Sequence, residues 1–169
     1  MLTRAALSGP RFYNAGVAKT FAVALTTGAC VWIALVVAVP YAMSSGHPAL
    51  TAAAALFYQA AGLICHQRPE RSFHLSGSQL PVCGRCFGLY LSAAFGTLAA
   101  WVTSAKRVPP RSRVALAFAA IPTALSVSLE LAGLIYPTNV ARALSALPLG
   151  ATAAWIFVRS LRAEANRSA

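Results

Sequence analysis

The sequence predicts an all-α, polytopic transmembrane helix bundle of four spans plus a short re-entrant or fifth helix, and three observations carry that reading. Its residues are 58% hydrophobic and only 10% charged, with a mean hydropathy of +0.64, a balance foreign to water-soluble domains. No charged side chain stands between Lys19 and Arg68. Strand-like alternation and internal repeats are absent, whereas uncharged runs of membrane-spanning length recur. The charges are few but one-sided: 14 Lys and Arg face three carboxylates, Glu70, Glu130 and Glu164, for a formal charge of +11. Nucleic-acid binding would gather that charge on one face or groove; here long uncharged stretches keep the basic residues apart, so the lipid bilayer is the expected partner and nucleic acid is not. A soluble enzyme, a disordered basic tail and a secreted disulfide miniprotein are disfavoured on the same grounds.

The elements follow in order. Residues 20–43 are uncharged and as a helix extend about 36 Å, enough for a hydrocarbon core of roughly 30 Å. A cleaved signal peptide would use Arg4, Arg11 and Lys19 as its basic region, but the apolar run is too long and no small-x-small site follows. An organellar transit peptide fits the acid-free start, yet Gly9, Pro10 and Gly16 interrupt any amphipathic helix. Residues 44–48 (SSGHP) read as a turn holding His47. Residues 49–64 are apolar but short, and either cross or re-enter. After the polar stretch 65–85, residues 86–105 form a span with Tyr90 and Trp101 as interface anchors. The KRVPPRSR segment, 106–113, is a loop. Residues 114–136 carry one charge, Glu130, and a kink at Pro122. Residues 143–158 make a short last span from whose ends Arg142 and Arg159 snorkel outward. Cys30 reads as a buried apolar side chain, and Gly96 with Ala100 as a small-x-x-x-small packing pair. The domain organisation is a basic cytoplasmic segment, 1–19, one transmembrane domain, 20–158, with a Cys/His-containing segment at 65–86, and a polar tail, 159–169.

Charge counting orients this multi-pass cell-membrane protein. With 49–64 not crossing, Arg4, Arg11, Lys19, Lys106, Arg107, Arg111, Arg113, Arg159, Arg162 and Arg167 share one side, against Arg68, Arg71, Arg85 and Arg142 on the other. The bias makes the termini cytoplasmic and the cysteine segment extracytoplasmic. With 49–64 crossing, the count evens out and specifies nothing.

Three of the four cysteines and two of the three histidines fall in CHQRPERSFHLSGSQLPVCGRC, which starts at Cys65 and ends at Cys86. Cys83 and Cys86 form a C-x-x-C pair at a helix start, a spacing that brings two sulfurs to one ion or to each other. Cys65, Cys83, Cys86 and one histidine would complete a tetrahedral Cys3His zinc site. Adjacent side chains diverge in regular structure, so His66 joins Cys65 only from an irregular turn, and His74 competes for the fourth position. The rival reading is redox: thiols at a helix amino terminus, with Arg85 between them, have lowered pKa values and react readily, with Cys83 and Cys86 as the active pair and Cys65 resolving. In spacing, CGRC resembles the pair of thiol oxidoreductases and of membrane four-helix quinone-linked disulfide oxidases. A structural disulfide from Cys65 to Cys83 or Cys86 is the third option.

The order of the spans returns Glu130, Asn139 and Arg142 to the face of the cysteines, with Glu130 about 9 Å inside its helix end. An intramembrane carboxylate is costly and is paired or functional; a pair with Arg142 or Arg85 that ties helices together is the plain expectation. Arg71, Gln79, Arg85, Tyr90, Glu130, Asn139 and Arg142 are the expected supports of the site or contacts for its ligand. Arg68, Glu70 and Arg71 read as a solvated loop cluster or a contact for an anionic headgroup.

CHQRPERSF followed by QLPVCGRCFGLY resembles the signature of Domain of Unknown Function 2085, a group of predicted prokaryotic integral membrane proteins. That pattern reads C-H-Q, then P-x-R-S-F, then P-V-C-x-R-C-T-G-I-Y. Cys65, His66, Gln67, Pro69, Arg71, Ser72, Phe73, Pro81, Val82, Cys83, Arg85, Cys86, Gly88 and Tyr90 fill it, and Phe87 replaces the threonine. The match is close over 65–90 and looser to about residue 150. Of two later elements, D-G-x-x-Q appears as Ser126, Val127 and Glu130, without the aspartate, and N-x-x-R-x-x-T-G as Asn139, Arg142, Ser145 and Ala146. The resemblance implies membrane class and the place of the site, and no activity. Three functions therefore stand as expectations: an extracytoplasmic zinc site, a membrane thiol-disulfide oxidoreductase, and a noncatalytic assembly or transport subunit. The lack of a second intramembrane acid argues against proton-coupled transport.

Overall fold

A computed structural model of the chain describes residues 15–104 and 111–167. The described residues are mostly helical, with one hairpin and short connecting turns: α1 (Ala15–Met43), α2 (Pro48–Gly62), a 3₁₀ turn (Pro69–Arg71), β1 (Ser72–Leu75), β2 (Ser78–Cys83), α3 (Gly84–Val102), α4 (Ser112–Leu131) and α5 (Asn139–Arg167). Four helices, α1, α3, α4 and α5, are long and apolar enough to cross a membrane. The basic residues before Ala15 lie outside the described residues, as does most of the expected 106–113 loop, although α4 has begun by Ser112.

The direction of each helix decides what residues 49–64 do. Gly84 faces the backbone of Asn139, Gly88 that of Ala143 and Gly96 that of Ala151, so α3 and α5 run parallel at a constant offset. Trp101 Nε1 donates to Thr26 Oγ1 at 2.8 Å, and Trp32 meets Tyr90 edge-on at 5.8 Å, so α1 runs the other way. Thr123 Oγ1 donates to Ser145 O at 2.8 Å, and Ser126 and Glu130 meet Arg85, so α4 is antiparallel to both α3 and α5. Thus α1 delivers the chain to the end of the bundle where α3 starts. With 15 residues, α2 is about 22 Å long and stays at that end. Four spans and one short non-crossing helix result.

Close packing of α3 on α5 comes from small residues every fourth position. Gly84, Gly88, Ser92, Gly96 and Ala100 are all buried, a ridge that extends the expected Gly96–Ala100 pair along the helix and lets the backbones touch. A Cβ on Gly88 or Gly96 would strike the backbone of Ala143 or Ala151. At the far end Ala22, Ala100 and Val158 close the core, and Arg162 covers the end of α3 by donating to Ala100 O and Thr103 O. α4 buries none of its residues and lies outermost, packed on α5.

Three expectations change. A hairpin stands in the polar stretch, where no strand was expected: Leu75 pairs with Ser78 across Ser76 and Gly77, whose φ values of 50° and 78° form a two-residue turn of the primed type that suits strand twist. β1 alternates polar and apolar over only four residues, and β2 breaks the alternation with Leu80, Pro81 and Val82 buried in a row. Leu80 and Val82 are buried, with Val36, Ala61 and Cys65. Secondly, α4 stops at Leu131 rather than reaching Tyr136. Gly133, with φ +70°, donates to Glu130 O at 3.1 Å, and Leu134 donates to Leu129 O at 3.0 Å; this is the Schellman stop, for which glycine alone carries no steric cost. Glu130 therefore sits in the last turn, not 9 Å inside. Thirdly, α5 outruns its apolar segment at both ends, starting where Thr138 Oγ1 accepts from the Ala141 N–H at 3.2 Å, a side-chain cap, and continuing to Arg167.

Candidate functional site

Cys65 follows the end of α2, where its N–H donates to Ala61 O at 3.0 Å, and is 6% exposed. Cys83 ends β2 and is the N-cap of α3; Cys86 lies in the first turn. The loop between is tied at three places. Gln67, with φ 48°, donates through Nε2 to Tyr58 O at 2.7 Å and to Pro81 O at 2.8 Å. Gln79 Nε2 donates to Gln67 O at 2.9 Å, and the Tyr58 hydroxyl donates to Gln79 O. These bonds clamp α2 against β2 and place Cys65 over the start of α3. The Cys83 N–H donates to Cys65 Sγ at 3.1 Å, and the three sulfurs lie within 4.8 Å of one another. Hydrogen bonds from the Cys83 and then the Cys86 side chain, outweighing burial, hold the Cys65 thiol well below the usual thiol range.

Neither histidine is part of that cluster: among the described residues, no fourth His, Asp or Glu comes within the same distance of all three sulfurs. His66 is exposed but lines the cavity beside them. His74 is exposed on β1, opposite Gln79. Cys30 is half-buried in α1, apart from the site, and His47 is exposed at the start of α2.

Beside the sulfurs, Glu130 gathers three guanidiniums. Arg142 and Arg85 each reach it at 2.9 Å and Arg71 at 3.3 Å, and its side chain is only 6% exposed. The expected pairing with Arg142 or Arg85 is present with both at once. A carboxylate in the last turn of a helix opposes the helix dipole, and three arginines offset that cost. Arg142, expected to snorkel outward, instead turns inward and is buried, because its NH1 donates to Asn139 Oδ1 at 3.0 Å while NH2 meets Glu130. Asn139 Nδ2 in turn donates to Ser72 O at 2.9 Å, joining the hairpin to α5. Arg85 NH2 also donates to Ser126 Oγ at 3.0 Å. Ser126 and Glu130, one turn apart on α4, therefore both reach Arg85. Tyr90 packs on Trp32 and against the buried cluster that includes Cys65.

The sequence reading assigned no role to Gln67, Tyr58, Ser72 or Ser126. Gln67, Ser72 and Ser126 stand within or at the motif words, so their positions were visible; what they bond to was not.

The family model described as "Predicted membrane protein (DUF2085)" matches residues 65–156, more than half of the chain. An uncharacterised protein of Methanothermobacter thermautotrophicus is 38% identical over 87 residues, covering 52% of this chain and 78% of that protein. An uncharacterised protein of Methanocaldococcus jannaschii is 46% identical over 41 residues, covering 24% of this chain and 26% of that protein. No solved structure matches.

Proposed function

This chain belongs to the DUF2085 family of predicted membrane proteins, and from that footing we propose that Cys65, Cys83 and Cys86 hold one zinc ion. The observation that carries the reading is the convergence of three sulfurs, from two separate parts of the chain, to within 4.8 Å. A tetrahedral zinc thiolate with bonds of about 2.3 Å sets its sulfurs about 3.8 Å apart, so closure on an ion needs shifts of less than about 1 Å. Soft thiolates select zinc over hard cations, and Cys65 is already disposed to the thiolate form that a ligand must take. The fourth position opens on the cavity that His66 lines. His66 swinging inward closes a structural Cys3His site; a solvent or substrate atom there makes an open, catalytic-type one.

A second reading, thiol-disulfide exchange by Cys83 and Cys86 with Cys65 resolving, draws on the same nearness of the three sulfurs. In it two thiols lose two electrons and two protons to an external acceptor such as a quinone. The membrane orientation proposed from the arginine and lysine distribution puts the site on the extracytoplasmic side.

Purification in detergent without chelator or reductant, followed by metal analysis and thiol counting, separates the two. About one zinc per chain, with new reactive thiols on its removal, supports the metal reading. Metal-free protein whose cysteines cycle between dithiol and disulfide with a quinone or thioredoxin-like partner refutes it. In the zinc-loaded protein, Cys65→Ser removes the ion, whereas His66→Ala keeps it if the site is open and weakens it if His66 closes it.

A further inference from the structure

We infer that the cavity beside the cysteines is a receptor for a phosphate group, carried by a lipid headgroup or free in solution. The inference rests on the metal reading only for its neighbour, since the arginines alone carry it. Arg68, Arg71, Arg85 and Arg142 line one cavity of about 420 Å³, together with the three cysteines and His66. Of the carboxylates, Glu130 meets three of these arginines, while Glu70 is exposed and does not line the cavity. Four guanidiniums against one carboxylate leave a surplus of three positive charges. Even a zinc ion on three thiolates, with one net negative charge, would leave two of those positive charges uncompensated in a partly desolvated site.

The guanidiniums also form a ramp. Their side chains are 9% exposed at Arg142, 20% at Arg85 and 38% at Arg71, and Arg68 is exposed at the outer end. Such a ramp draws an anion inward. Arg85 Nε is buried with no hydrogen-bond partner in the protein, an orphan donor of the kind that a bound oxyanion or an ordered water satisfies. Guanidinium forks match the oxygens of phosphate, and a phosphate monoester near neutral pH carries close to two charges. The exposed Ile64 and Leu131 share the lining, so an acyl chain reaching in from the bilayer would find apolar contact beside the charged floor. The phosphate chemistry is common to both sources, and the side chains that bind it are the same.

The test uses the full chain in detergent with two probes: inorganic phosphate by titration calorimetry, and phosphatidic acid by native mass spectrometry, with zinc content measured on every sample. Arg68→Gln and Arg71→Gln are the variants, because Arg68 makes no contact with Glu130 and Arg71 is the most exposed of the three that do. Each is expected to weaken binding about tenfold or more, the loss of one hydrogen bond to a charged group, with the melting temperature of Arg68→Gln unchanged. Binding of inorganic phosphate assigns a solution ligand; binding of phosphatidic acid alone assigns a lipid. Wild-type protein that binds neither probe, or variants that bind as well as wild type, overturn the inference. Zinc with binding of neither probe refutes this inference alone, and binding of either probe without zinc refutes the metal reading alone.

Discussion

Replacing Glu130 with glutamine removes one charge while keeping the shape of the side chain, and the structure sets the size of the effect. The carboxylate is 6% exposed and is held by Arg142 and Arg85 at 2.9 Å each and by Arg71 at 3.3 Å. Arg71 is more than a third exposed, so solvent screens its share, which is a few tenths of a kcal/mol. Arg142, only 9% exposed at its side chain, dominates: it keeps Asn139 as a partner but loses its counter-charge. Breaking a buried pair by removing one partner costs about 3–5 kcal/mol, because the remaining charge stays buried. Arg142 retains that neutral partner, so the lower end, about 3 kcal/mol, applies. For a chain of this length that is a fall of roughly 6–12 °C in melting temperature. The assay is thermal unfolding in detergent followed by circular dichroism, with Arg71→Gln as the screened control, expected to lose about 1 kcal/mol or less. Ser126 and Glu130 both reach Arg85, so adding Ser126→Asp to Glu130→Gln returns an acid to the cluster and recovers part of the loss. A melting temperature for Glu130→Gln within about 2 °C of wild type, or no recovery in the double variant, refutes the claim that this carboxylate holds α3, α4 and α5 together.

Other outcomes follow from the same structure. Gly88→Val and Gly96→Val, whose Cβ atoms would meet the Ala143 and Ala151 backbones, are expected to prevent recovery of folded protein, while Gly28→Ala, with open space around it, is expected to be neutral or to gain up to about 1 kcal/mol from helix propensity; expression and melting measurements read both. Gln67→Ala removes two side-chain hydrogen bonds that position Cys65 and is expected to weaken zinc retention against a chelator at least tenfold, with helix content unchanged by circular dichroism. Zinc binding requires thiolates, so retention is expected to fall as pH is lowered and protons compete for the sulfurs; equilibrium dialysis across a pH series checks the sign. Reporter fusions after Arg167 and within 105–110 are expected to read the cytoplasmic side, and one in the Ser76–Gly77 turn the opposite side.

Much of this architecture was written in local chemistry. Uncharged runs long enough to cross a bilayer specify spans whatever they pack against, because an unpaired backbone in hydrocarbon leaves the helix as the available structure. The C-x-x-C pair lies within one helical turn, and its nearness to Cys65 was readable from the motif that surrounds all three. Gly133 also carried the end of α4 in plain view, as a residue free to take positive φ, although the apolar run past it suggested a longer helix. Hydrophobicity marks what is greasy, and it does not mark where a helix stops.

The tertiary structure decided what depends on residues far apart in the chain. Whether 49–64 crosses turns on the direction of α1 relative to α3, which the contacts of Thr26 with Trp101 and of Trp32 with Tyr90 settle. Composition is blind to direction. The destination of Arg142 was likewise undetermined: the same arginine at a helix end can reach for headgroups or for a buried acid, and only the arrival of Glu130 from α4 and Asn139 from its own helix turns it inward. The histidines show the reverse, since their spacing suits a zinc site yet the loop geometry leaves three sulfurs together and both rings outside the cluster. Sequence alone determined the membrane class, the four long apolar runs and the motif that carries the three cysteines. The folded chain determined which charges meet, because a buried charge takes its partner from whichever element packs beside it.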